Sequence, residues 1–73
     1  MASFNYRRFL TEKWGDPDGL TRFLHSYGEK EIPRATVNQW FRRQSIPSEM
    51  FAKLVALLET ENGAPVSTAE YLE

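Results

Sequence analysis

The sequence predicts a small all-α domain of four helices, and three observations predict it. The chain has 73 residues, room for one domain and too little for two. Its apolar residues recur at three- and four-residue spacing in four separate stretches, the one-sided stripe of an amphipathic helix. Glycines and prolines fall between those stretches and punctuate them. At this length folding removes only about 60% of the surface that the unfolded chain exposes, so the core is small and a large enclosed active site is not expected.

In the first stretch, Asn5 to Trp14, the apolar residues Tyr6, Phe9, Leu10 and Trp14 share one side, and Gly15 is a natural stop. The second opens at Asp16-Pro17-Asp18-Gly19, where Asp16 can cap and Pro17 can take the first helical position with its missing N–H harmless. It runs to about Tyr27, with Leu20, Phe23, Leu24 and Tyr27 inward and Gly28 as C-cap. After the polar connection Glu29-Lys30-Glu31, a third helix is expected from Pro33 to about Gln44. Val37, Trp40, Phe41 and Gln44 lie on its inner side, whereas Arg34, Ala35, Asn38, Gln39 and Arg42 share the outer one by i, i+4 spacing. Ser45-Ile46-Pro47-Ser48 breaks the chain, with Ser48 or a neighbour as cap, and Phe51, Leu54, Val55 and Leu58 form the stripe of the fourth helix. Asn62-Gly63 and Pro65 end it. Residues 64–73 are set apart from the domain 1–63 as a tail, in which Ser67-Thr68-Ala69-Glu70 offers a capping box for one further turn. The expected core is Phe9, Leu20, Phe23, Leu24, Val37, Trp40, Phe51, Leu54, Val55 and Leu58.

Composition narrows the function classes. A hydrophobic share of 41% with 26% charged residues is that of a folded domain, and 14% aromatics imply a core of a few large side chains. With no cysteine, disulfide staples, thiolate metal sites and cysteine nucleophiles are excluded. No apolar run approaches the ~20 residues of a membrane span and the first residues lack the form of a signal peptide, so a cytoplasmic protein is expected. Enzymatic chemistry has no support. The lone histidine, His25, is read as solvent-facing, and neighbouring Ser26 points away from it on a helix. A calcium loop counted from Asp16 would need glycine and glutamate where Thr21 and Tyr27 stand. No catalytic residue, metal, cofactor or small-molecule substrate is expected.

The net charge of −1 conceals an uneven distribution. Through Ser48 there are eight basic residues against five acidic, and from Glu49 onward one against five. Between Pro33 and Ser48 there are three arginines and no acid, the local basicity that phosphate binding requires. A helix that enters the major groove must bury one side and expose groups that reach base edges on the other. The third helix satisfies both. Arg34 can donate to guanine O6 and N7, Asn38 and Gln39 can match adenine, Ala35 can touch a thymine methyl, and Arg42, Arg43 and Gln44 are placed for phosphates.

Arg34-Ala35-Thr36-Val37-Asn38-Gln39-Trp40-Phe41, followed by Ser45-Ile46-Pro47-Ser48, resembles the recognition helix, loop and next-helix entry of the lambda-repressor and Cro type of helix-turn-helix regulators. The resemblance covers roughly residues 20–58. It implies that Val37 and Trp40 are core, that Arg34, Ala35, Asn38 and Gln39 face bases, and that Thr21, Arg22, Thr36, Arg42, Arg43, Gln44 and Ser45 face phosphates. It further implies a phage or bacterial transcription regulator, such as a repressor, that binds a double-stranded DNA operator as a homodimer. The connection after Gly28 is about three residues longer than the usual turn of such a motif. Similarity to the third helix of a homeodomain is weaker, because Arg43 stands where that family keeps its adenine-reading asparagine. The rival expectation is a protein-interaction module of antitoxin or anti-repressor type, which would use the fourth helix and the tail. Leu57, Val66, Tyr71 and Leu72 are the apolar residues expected to be exposed for a partner or a second copy.

Overall fold

In the computed structural model, which describes residues 3–73, four α-helices follow one another as α1 Tyr6–Trp14, α2 Pro17–Ser26, α3 Arg34–Arg43 and α4 Ser48–Asn62. A single 3₁₀ turn, Ala69–Tyr71, lies in the tail. The all-α, four-helix expectation stands, and each boundary has a local cause. Asn5 lies just outside α1 as its N-cap, its side-chain oxygen accepting from the Arg8 amide at 3.0 Å. Asp16 caps α2 through the Gly19 amide at 2.8 Å, with Pro17 in the first position as expected. Pro33 stays extended and α3 begins one residue later, while Gln44 takes the left-handed conformation that closes it. Ser48 does not cap α4: Pro47 holds that place, and no side chain caps the helix.

The connection between α2 and α3 is long but pinned. Gly28 adopts φ +91°, its amide donates to the His25 carbonyl, and the Glu29 amide donates to the Leu24 carbonyl, which together form a Schellman closure. Beyond it, the His25 ring donates from Nε2 to the Ile32 carbonyl at 2.8 Å, and Ile32 is buried. His25 is therefore half-buried and acts as a loop staple, which corrects the solvent-facing expectation. Lys53 of α4 reaches Glu29 at 2.9 Å, and this contact holds the Glu29 carboxyl below the usual carboxylate range.

Helix α2 packs on α3, and α1 packs on both and on the 3₁₀ turn. Phe9, Leu10, Leu20, Leu24, Val37, Trp40, Leu54 and Leu58 fill the centre, joined by Ile32, Ile46 and Tyr71 from the connecting segments. Phe23, Phe51 and Val55, expected in the core, are partly buried at its margin, whereas Leu10, Ile32, Ile46 and Tyr71 enter it unforeseen. Gln44, expected along the inner side of the third helix, is exposed.

The tail returns to the N-terminus. Ser3 and Glu73 exchange amide–carbonyl bonds at 2.9 and 2.8 Å around an antiparallel bridge of Phe4 and Leu72, and the Asn5 amide donates to the Tyr71 carbonyl at 2.7 Å. Tyr71 is only 1% exposed, so it is a core residue and not a free apolar contact for a partner. Its ring meets Phe9 and Phe4, its hydroxyl donates to Glu12 at 3.0 Å, and the Arg8 guanidinium lies over its face. Leu57 and Val66 pack partly against the core, which leaves Leu72 as the exposed large apolar side chain among the described residues. No helix among the described residues is long and apolar enough to cross a membrane.

Candidate nucleic-acid interface

Helix α3 is fixed from beneath by Val37, fully buried, and Trp40, nearly so. Ile32 before it and Ile46 after it insert into the same core, so both ends of the helix are held. At ~100° per residue, Arg34, Ala35, Asn38, Gln39, Arg42 and Arg43 then fall within about half of the helix circumference. All of these are exposed except Asn38, which is half-buried. Arg42 and Arg43 lie in the last turn, where cations suit the helix dipole.

The sequence-derived phosphate residues divide. Arg43 and Ser45 line one groove with Trp40, Ile46, Pro47 and Gln39, the last expected to face bases, so the end of α3 and the following loop form a continuous surface. The Ser45 amide donates to the Trp40 carbonyl at 3.2 Å, which turns the chain sharply and keeps Ser45 beside Arg43. Gln44, at φ +54°, is exposed at this turn. Thr36 lies apart, half-buried in a second groove with Trp40, Pro47, Glu49, Met50 and Lys53. Arg22 is exposed on α2. Thr21 is buried, and its hydroxyl donates to the Pro17 carbonyl at 2.7 Å, so it is spent inside α2 and does not belong to the exposed set.

At the N-terminal end of α3, Arg34 Nε donates to Asp18 Oδ1 of α2, and both side chains are more than half exposed. Nothing in the sequence singles out Asp18 as a partner of α3. Its place in a capping turn was legible, but its partner lies sixteen residues on across a loop whose course no local pattern gives. Among the described residues, no ion pair involves Arg42 or Arg43, and no group of His, Cys, Asp and Glu side chains has the makings of a metal site.

Comparison of the chain with protein-family models, with curated proteins and with solved structures finds no match.

Proposed function

We propose that this protein binds double-stranded DNA sequence-specifically and acts in transcription control, with α3 in the major groove. The observation that carries the reading is the division of α3: two apolar side chains buried beneath it, and a contiguous outer half of arginine, amide and alanine. Arg34, Ala35, Asn38 and Gln39 then address base edges, with the arginine suited to guanine and the amides to adenine. Arg42, Arg43, Gln44 and Ser45 hold phosphates at the other end, with Arg22 and Thr36 at the flanks. Thr21 drops out because its hydroxyl is already committed.

A single module of this kind covers roughly 600–1,000 Å². Two copies on a two-fold operator, with half-sites about one helical turn apart, supply the larger interface that specific binding needs. Leu72, whose backbone forms the terminal bridge with Phe4, is the exposed large apolar residue among the described residues that is available for contact between copies. The deciding experiment is selection of bound sequences from random duplex DNA. Enrichment of a site with two-fold symmetry is expected, and recovery of an unenriched pool would leave the interaction-module reading in its place.

A further inference from the structure

The three arginines of α3 are not equivalent. Arg34, its first residue, is held by Asp18, the second residue of α2, while Arg42 and Arg43 form no ion pair among the described residues. The contact uses Nε, on one edge of the guanidinium. A guanidinium carries five N–H donors in a fixed plane, so the two terminal nitrogens stay available along with an orientation that the carboxylate sets. Guanine offers O6 and N7 side by side in the major groove, and that pair takes two parallel donors from one arginine. The pair is more than half exposed on both sides, so the free edge of Arg34 opens to solvent.

We propose that Asp18 is a positioning residue that holds Arg34 edge-on for a guanine and keeps it from serving as a phosphate contact. The inference rests on the DNA-binding reading above and deepens it, because it names one base of the operator and the group that enforces it. The carboxylate acts in two ways. It fixes the guanidinium plane before binding, so less side-chain freedom is lost on contact with the base. It also places a negative charge where a phosphate would have to approach, which disfavours backbone contacts at this end of α3. On this assignment Arg34 reads, whereas Arg42 and Arg43, with no acid paired to them, hold the backbone of any sequence.

The test compares wild-type protein with Asp18→Ala, Arg34→Ala and the double variant, each first shown to be folded by circular dichroism. The ligands are duplexes carrying the selected site with guanine, or each other base, at the position where Arg34→Ala loses preference. Asp18→Ala is expected to lower the preference for guanine there about fivefold or more and to leave the other positions alone. Its affinity for random duplex at low salt should rise by about two- to threefold, because a repulsive charge is gone. In the Arg34→Ala background, Asp18→Ala should change nothing further at that position, since it acts through the arginine. Retention of the full guanine preference by Asp18→Ala overturns the proposal. So does a loss spread over several base pairs, which marks a general distortion, or an Arg34→Ala variant that loses no base preference. Failure of the wild-type protein to bind any duplex would overturn the DNA-binding reading itself, and would be evident before any variant is compared.

Discussion

Among single residues, Trp40 joins α3 to the core and lines both grooves beside that helix. Its loss would remove the largest side chain beneath the proposed reading face and leave a cavity that a small domain closes poorly. Trp40→Ala should therefore destabilise the protein by about 3–5 kcal/mol, a large part of the stability of a domain this size. Thermal or denaturant unfolding measures it, and a variant that melts within a degree or two of the wild type would show that Trp40 supports nothing. The role of Trp40 was legible in sequence because Val37 and Trp40 are spaced for one side of a helix. That of His25 was not. An isolated histidine on a helix carries no sign of the carbonyl it meets, and Ile32 reaches it only because the Gly28 closure reverses the chain.

At the scale of elements, helix existence and orientation followed from apolar spacing and from Gly15, Asp16, Gly28 and Gly63, whose caps or turns have local chemistry. What spacing does not reveal is how closely consecutive helices approach. Gly19, in the first turn of α2, lies so near the Trp14 carbonyl that an added Cβ would stand 2.4 Å from that oxygen. Helix propensity alone predicts that Gly19→Ala stabilises α2 by up to ~1 kcal/mol. The close approach predicts the reverse, a destabilisation of about 1–3 kcal/mol, because backbone at the α1–α2 corner must move to admit the methyl group. Denaturant unfolding distinguishes the two signs, and a more stable variant would refute the packing described for this corner. The candidate interface was legible to the same extent as the helices: the outer residues of α3 were found from their register, but the Asp18 contact to Arg34 needed the α2–α3 geometry.

For the whole molecule, the closing contact is the tail on α1, a pairing between the two ends of the chain that has no local signature in the sequence. Tyr71 and Glu12 make this closure depend on pH. Hydrogen bonding from Arg8, and then from the Tyr71 hydroxyl, keeps the Glu12 carboxyl below its ordinary value. Its contribution is thus present above the ordinary carboxylate range and is lost as pH falls through the lowered value. Burial, and then the Glu12 contact, raises the Tyr71 phenol. That contribution is present below the ordinary tyrosine value of about 10 and is lost as pH rises toward the raised one. Tm should hold a plateau between these limits and fall on both sides. Tyr71→Phe should flatten the alkaline decline without abolishing it, because Tyr27 is likewise raised through its hydrogen bond to Glu61. An unchanged alkaline limb in this variant would contradict the Tyr71 assignment. The functional proposal depends on α3. The measurement that tests that proposal most directly is affinity as a function of salt for wild-type, Gln39→Ala and Arg43→Ala proteins on the selected site and on random duplex. If a dimer meets roughly eight phosphates, log affinity should fall against log salt with a slope of about −7. Arg43→Ala should weaken both duplexes alike and reduce that slope by roughly one unit per subunit, whereas Gln39→Ala should keep the slope and lose about 1–3 kcal/mol on the selected site only. Affinity that is flat with salt, or two folded variants that lose equally on selected and random DNA, would contradict a base-reading α3.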